Sequence, residues 1–344
     1  MKVGIIGLPN VGKSSLFNFL TRGQVQVAKF PFTTIDRNVG MVTIPDNRLE
    51  QIAEITQASK VRFACIEYVD IAGLIKGASQ GDGLGNKFLA HIRDVDLIIH
   101  VLRCFADPDI PHIDSQILPK RDYEIVRAEL YLSDLGVVER RIDKIKKKAE
   151  CREELKNLLT IKDALSKGQV PEITVRDLPL LSTKQELIVL NLDEDGRFEA
   201  DIKGFDIYRL SVRLEEDIGD FTEEEKQTLR KDAGLNPTGF AGLMRLCMEK
   251  LSIIIFYTIK GRETRAWPVK KGTRVLDAAG KIHSDMRDGF IKAEVLEGKD
   301  FIACGGFSPA QQAGLTKIEG KEYIVKDGDI ILVKFREVKG LTKR

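Results

Sequence analysis

The stretch GLPNVGKSS, Gly7 to Ser15, places two glycines, a lysine and paired serines in the G-x-x-x-x-G-K-[ST] spacing that cradles polyphosphate. Gly7 and Gly12 let the backbone wrap tightly, so that successive N–H groups point inward and the following helix start adds positive potential. By this reading Asn10, Val11, Gly12, Lys13, Ser14 and Ser15 bind nucleotide, with Lys13 on the β- and γ-phosphates and Ser14 as a Mg²⁺ ligand. Downstream, CIEYVDIAGLIKG (Cys65 to Gly77) is an alternating strand ending in D-x-x-G. Asp70 reaches the metal through water there, and the Gly73 N–H meets the γ-phosphate. Between these segments FPFTTID (Phe30 to Asp36) offers two threonines, of which Thr34 is taken to complete the magnesium shell.

Such groups need a strand, a loop and a helix in that order. The apolar strand Val3 to Ile6 precedes the glycine loop, and a helical segment, Ser14 to Thr21, follows it. Further strands are expected at Asn38 to Ile44, Val61 to Val69, Leu97 to Leu102, Leu187 to Leu190 and Asp206 to Ser211. Alternating with helices, they predict an α/β fold with a doubly wound, mostly parallel sheet. Between the fourth and fifth strands Leu135, Val138, Ile142, Ile145 and Ala149 recur at spacings of three and four within charged sequence. That pattern predicts an inserted coiled-coil-like hairpin, with a second helix at about Glu153 to Ser166 and Lys146 to Lys148 near its tip. A helix over Gly239 to Ser252 leads into short strands around a single helix, VLDAAGKIHSDM, a ratio that suits a small β-grasp module. His283 and Trp267 are read as structural residues.

Composition narrows the class. The 344 residues are 43% hydrophobic, enough for a substantial core in two or three domains. A net charge of +2 assigns any polyanion partner to a local basic patch rather than to the whole chain. Cys65, Cys104, Cys151, Cys247 and Cys304 lack C-x-x-C spacing, which favours reduced thiols over disulfides or zinc. No run approaches a membrane span and the start has no cleavable leader pattern, so a cytoplasmic protein with no membrane partner is expected.

Taken together, GLPNVGKSS, FPFTTID, DIAGLIKGASQGDGLGNKFLAHI, RAWPVKKGT, AAGKIHSDM and GFIKAEV resemble the YchF family of Obg-like ATPases across nearly the whole chain. The resemblance implies a P-loop G domain (1–119 and 186–250), a helical insertion (120–185) that is short for the family, and a C-terminal TGS domain (251–338). It also implies ATP in preference to GTP, magnesium, and association with ribosomes. A TGS surface would meet ribosomal RNA or protein, and Lys260, Arg262, Arg265, Lys270, Lys271 and Arg274 are the cations available to it.

Two positions set the chemistry. Leu74 stands where many relatives of this fold carry a water-orienting glutamine, and leucine cannot hydrogen-bond. Asn10 occupies a position that helps bind a monovalent cation in K⁺-activated members of the wider class. His112, in DPDIPHIDSQ, matches a family histidine proposed to act in ATP hydrolysis and is the catalytic candidate. At the base end the order is Asn191-Leu192-Asp193-Glu194, not N-K-x-D. The Asp of N-K-x-D accepts from guanine N1–H and its 2-amino group, donors that adenine lacks. The family's N-x-x-E pattern is matched, which implies that Asn191 binds the base through its side chain and Leu192 through its main chain. By the same resemblance LSVRLEED sits where the family's next base-contacting loop falls, which implies a contact from Ser211. The competing readings are an Obg-type GTPase with a degenerate base site and a nucleotide-stabilised scaffold. Oligomeric state is not encoded in any of these features.

Overall fold

The computed structural model of the chain describes residues 1–22, 39–71, 84–110, 116–194, 198, 202 and 206–336. It forms two compact units: the described parts of Met1–Val42 and Ile66–Cys247, and Thr43–Cys65 with the described residues from Met248 on. Residues 43–65, placed in the G domain by sequence, thus group with the C-terminal part.

The chain opens with β1 (Lys2–Ile6), α1 (Lys13–Arg22) and β2 (Val39–Thr43), then supplies α2 (Asn47–Ile55) and β3 (Lys60–Arg62) to the second unit. The first unit resumes with β4 (Cys65–Asp70), α3 (Leu84–Asp94), β5 (Leu97–Cys104), α4 (Pro119–Ile145) and α5 (Arg152–Ser166). It closes with β6 (Gln185–Leu192), β7 (Ile207–Leu210), α6 (Val212–Asp217), α7 (Glu223–Asp232) and α8 (Gly239–Lys250). The second unit then runs through β8 (Ile253–Lys260), β9 (Glu263–Lys270), α9 (Val275–Ile282), α10 (Ser284–Asp288) and β10 (Phe290–Glu297). It ends with α11 (Gly298–Cys304), α12 (Phe307–Gln312), β11 (Lys317–Glu319) and β12 (Asp329–Phe335).

The first sheet has the order β2-β4-β1-β5-β6-β7, and β1 pairs in parallel with both β4 and β5. Every residue of β5 is buried, as expected of a central parallel strand covered on both faces. Strand order reverses around β1, so the loops leaving β1, β4, β5 and β6 gather at one end, where open α/β sheets bind ligands. The predicted strand Val61 to Val69 is in fact two strands with different partners. β3 pairs in parallel with β9 in the second sheet, whereas β4 pairs with β1. The alternating pattern runs through both, and only the partner changes.

Within the first unit α4 and α5 pack on one another through Val138, Ile145, Leu158, Ile161 and Leu165, with Leu135 and Ile142 against them. The predicted seam positions 135, 138, 142 and 145 are therefore in this core; the side chain of Ala149 lies outside the described residues. Lys146 to Lys148 occupy the turn between the helices. The foot of the pair is fixed by Asp134, whose buried carboxylate accepts from the N–H groups of Leu181 and Ser182 and from Ser182 Oγ.

The second sheet has the order β11-β10-β12-β8-β9-β3. One face carries a core of Phe256, Trp267, Val275, Ala279, Val295 and Ile331. The single helix expected over 275–286 is broken at His283, whose extended backbone ends α9 and whose Nδ1 accepts from Asp285 N–H to cap α10. Helices α11 and α12 are additional to that expectation. Asp46 caps α2 and also accepts from the Tyr257 hydroxyl, while Arg48 spans Asp46 and Asp327. Among the described residues no helix is long and apolar enough to cross a membrane, and all five cysteines are free thiols.

Candidate functional site

A cavity of about 720 Å³ opens at the C-terminal end of the first sheet, lined at one end by Asn10, Gly12, Lys13, Ser14 and Ser15 and at the other by Asn191 to Glu194. The phosphate loop is shaped by backbone geometry that only glycine tolerates. A Cβ on Gly7 (φ +150°) would sit 2.5 Å from the Val101 carbonyl oxygen, and one on Gly12 (φ +95°) 2.3 Å from Asn191 Nδ2. Asn10 itself is left-handed, at φ 63°. Helix α1 starts at Lys13 with no acidic residue in its first turn, leaving its N-terminal partial charge available to an anion.

Lys13 is 7% exposed and its Nζ donates to the Leu8 carbonyl at 2.7 Å, folding the side chain back over the loop. Burial pushes the ammonium down to about 8, against the attraction of Asp70. Ser14 Oγ donates to Asp70 Oδ2 at 2.8 Å, while Asp70 Oδ1 is buried without a hydrogen-bond partner among the described residues. An orphaned carboxylate oxygen beside a serine hydroxyl is a hard, oxygen-only donor set. It fits Mg²⁺. Thr34, Gly73 and His112 lie outside the described residues, although Ile110, two residues before His112, lines the cavity.

Asn191 ties the two ends together. Its Nδ2 donates to the Val11 carbonyl at 3.0 Å and its Oδ1 accepts from Val212 N–H at 3.2 Å, so one amide joins the phosphate loop to the start of α6. Leu192 lines the cavity beside it. Val11 is fully buried and contributes that carbonyl rather than a cavity surface. Ser211 is also fully buried; its Oγ accepts from Leu214 N–H as the N-cap of α6, outside the cavity wall. Glu194 forms an ion pair with Arg213 at 3.0 Å.

Sequence reasoning missed Arg103, Phe105, Asp107, Arg213 and Glu216. Arg103 is 2% exposed at the end of β5 and donates to the carbonyls of Phe105, Asp107 and Ile110, with its guanidinium 4.5 Å from the Phe105 ring centroid. It therefore shapes the loop that forms one cavity wall. The signal was present in LIIHVLRC: a charge inside a wholly buried strand needs partners, and the carbonyls just downstream are the nearest.

Two family models match the chain. One, described as 50S ribosome-binding GTPase, covers residues 2–131; the other, the C-terminal YchF-GTPase model, described as a protein of unknown function (DUF933), covers 253–336. The Ribosome-binding ATPase YchF of Bacillus subtilis is 38% identical over 97% of this chain and 99% of its own length. That of Escherichia coli O157:H7 is 38% identical over 96% and 98%. Among solved structures, the Schizosaccharomyces pombe YchF GTPase superposes with a TM-score of 0.82 at 29% identity, covering 97% of each chain. These relatives are described variously as ATPase and GTPase, so likeness alone leaves the base to be argued from the pocket.

Proposed function

Because the chain belongs to the YchF family, we propose that it is an ATP-hydrolysing P-loop switch that prefers ATP to GTP and associates with the ribosome in translation-linked or stress regulation. The observation that carries the ATP preference is the base end of the cavity. Neither the lysine nor the aspartate of N-K-x-D is in place, and the Glu194 carboxylate is drawn to Arg213. A guanine entering there would lose water from N1–H and its 2-amino group with no fixed carboxylate to receive them, whereas adenine carries no such donors. Asn191 and the Leu192 main chain are the base-binding groups in this reading.

At the phosphate end, the loop amides and the α1 N-terminus receive the oxyanions, and Lys13, already inside the cavity wall, needs only to exchange the Leu8 carbonyl for a phosphate oxygen. Ser14, Asp70 and Thr34 would hold Mg²⁺, which when bound neutralises charge on the β- and γ-phosphates. The Gly73 N–H would orient the γ-phosphate. His112 takes the place of the missing glutamine, with K⁺ near Asn10 as the other source of charge stabilisation. The same reading assigns a G domain to 1–119 and 186–250, a helical coiled-coil insertion to 120–185 and a TGS domain to 251–338, in a cytoplasmic protein whose TGS surface meets ribosomal RNA.

One observation favours a second reading, an Obg-type GTPase. Asp193 lines the same cavity and is a carboxylate that guanine donors could use. Competition of ATP against GTP for the purified protein with Mg²⁺ present separates the two, since a clear GTP preference would sink the first. Leu192→Lys with Glu194→Asp is expected to move preference toward GTP. His112→Ala should lower turnover while ATP affinity is kept; unchanged turnover would remove that assignment.

A further inference from the structure

The second sheet carries a basic ladder at its β3 edge. Register places Arg62 opposite Arg265 and Lys60 opposite Glu263, and on the other side Thr258 opposite Arg265 and Lys260 opposite Glu263. Registered partners and alternate residues share a face, so four cations here surround one carboxylate. Glu263 is already engaged, by Lys60 Nζ at 2.9 Å and Arg62 Nε at 3.0 Å. The side chains of Lys260 and Arg265 form no ion pair or hydrogen bond among the described residues. Burial, and then repulsion from Arg62, push the Arg265 guanidinium below its ordinary value against the attraction of Glu263.

The geometry around Arg265 is specific. Its guanidinium carbon lies 3.7 Å from the Trp267 ring centroid, and Trp267 Nε1 donates to Thr258 Oγ1 at 2.9 Å, which fixes the indole as a backing plate. Arg265 and Lys260 line a cavity of about 550 Å³ together with Glu263, its apolar wall being Ile282, Met286 and Phe335, and the His283–Asp285 pair also faces it. Lys60, Arg62, Lys260 and Arg265 outnumber the Glu263 carboxylate among them, and this excess of positive charge beside a planar guanidinium and an apolar wall matches a ligand that is anionic at one end and flat at the other. An acidic peptide supplies only the anion.

We propose that this cavity holds an unpaired RNA nucleotide, with Lys260 and Arg265 on the phosphate and the base against the Arg265–Trp267 stack. The proposal rests on the ribosomal reading above and gives that partner a definite chemical contact.

Trp267 is the chain's one tryptophan, so its fluorescence reports on this cavity directly. The full-length protein is titrated with a single-stranded RNA dodecamer, an abasic strand of equal length, an RNA duplex and polyglutamate. Expected are a Trp267 fluorescence change with the dodecamer and an affinity about tenfold weaker for the abasic strand and for Arg265→Ala. Lys260→Ala, at an exposed position that leaves the fold intact, should also weaken binding and reduce the salt slope by about 0.7 for each phosphate no longer neutralised. Equal affinity of both variants and wild type overturns the site. Equal binding of the abasic strand overturns the base contact, and polyglutamate binding as tightly as RNA replaces the nucleotide by an acidic peptide. Ribosome pelleting of the wild-type protein separates the two levels. Pelleting without dodecamer binding removes the site alone; dodecamer binding without pelleting supports the site and removes the ribosomal reading.

Discussion

Ser14 and Asp70, 56 residues apart in the chain, are joined by a 2.8 Å hydrogen bond from hydroxyl to carboxylate. The end of β4 and the first turn of α1 thus bring both oxygen donors together within the protein itself.

Asp70→Asn should leave the fold intact and lower Mg²⁺-dependent turnover at least about 100-fold, since the proposed cation site would lose a carboxylate charge. Ser14→Ala should weaken magnesium-dependent nucleotide binding by about 10- to 100-fold. Titration of nucleotide affinity against Mg²⁺ checks both, and an Asp70→Asn protein with unaltered magnesium dependence would show that the metal is held elsewhere.

Lys13 makes nucleotide binding sensitive to mildly alkaline pH. Its ammonium is pushed down to about 8 from 10.5, so between those values the folded protein binds fewer protons than the unfolded chain, and stability without nucleotide rises with pH across that window. Phosphate favours the charged form. Binding near pH 8 should therefore take up a fraction of a proton, and affinity should fall as pH rises through about 8. Calorimetry in buffers of different ionisation enthalpy measures the uptake; identical heats in all buffers at that pH would exclude it.

Asn191→Ala should cost about 1–3 kcal/mol in urea unfolding, because the Val11 carbonyl and the Val212 N–H both lose their partner in a buried setting. Nucleotide affinity should fall with it, as the same amide holds the phosphate loop against α6. A variant of unchanged stability would mean that the loop keeps its shape without this tie.

Beneath α4, Glu186 accepts from Arg127 at 3.3 Å and shares a 2.7 Å hydrogen bond with His100 Nδ1. Burial pushes its carboxyl up, but the His100 hydrogen bond and charge, with Arg127, outweigh this and hold it below its usual value. Its stabilisation is therefore complete above the ordinary carboxylate range and is lost as pH falls through the lowered value. Glu186→Gln leaves the Arg127 charge buried without its counter-charge and should cost about 3–5 kcal/mol near neutrality. Denaturant unfolding at about pH 7 and at about pH 3 tests the sign: the difference between variant and wild type should shrink at the acid end.

Much of the site was legible because it is local. Gly7 to Ser15 and Asp70 could be placed from spacing within one strand, one turn and one helix start, and the seam Leu135, Val138, Ile142, Ile145 from helical period alone. What escaped was non-local. Nothing in the alternation of residues 61–69 says that Arg62 faces Arg265 while Tyr68 pairs with Val3, since both strands have the same period. Ser211 was named from a family loop, and the pattern of residues around it did not disclose that its hydroxyl caps α6. For Arg103 the charge within an apolar strand was legible, but its partners were not, because they are carbonyls and leave no trace in side-chain identity.

The lending of α2 and β3 to the second unit has a consequence for synthesis on the ribosome. Thr56 hydrogen-bonds to Thr264, which emerges 208 residues later, and among the described strands β3 pairs with β9 alone. During that interval Leu49, Ile52 and Ala53 of α2, buried in the finished protein, await the layer that covers them. Chain order thus imposes a delay that long-range pairing makes costly in loop-closure entropy. A nascent chain arrested before residue 263 would carry its complete phosphate loop while residues 43–65 still waited for their fold.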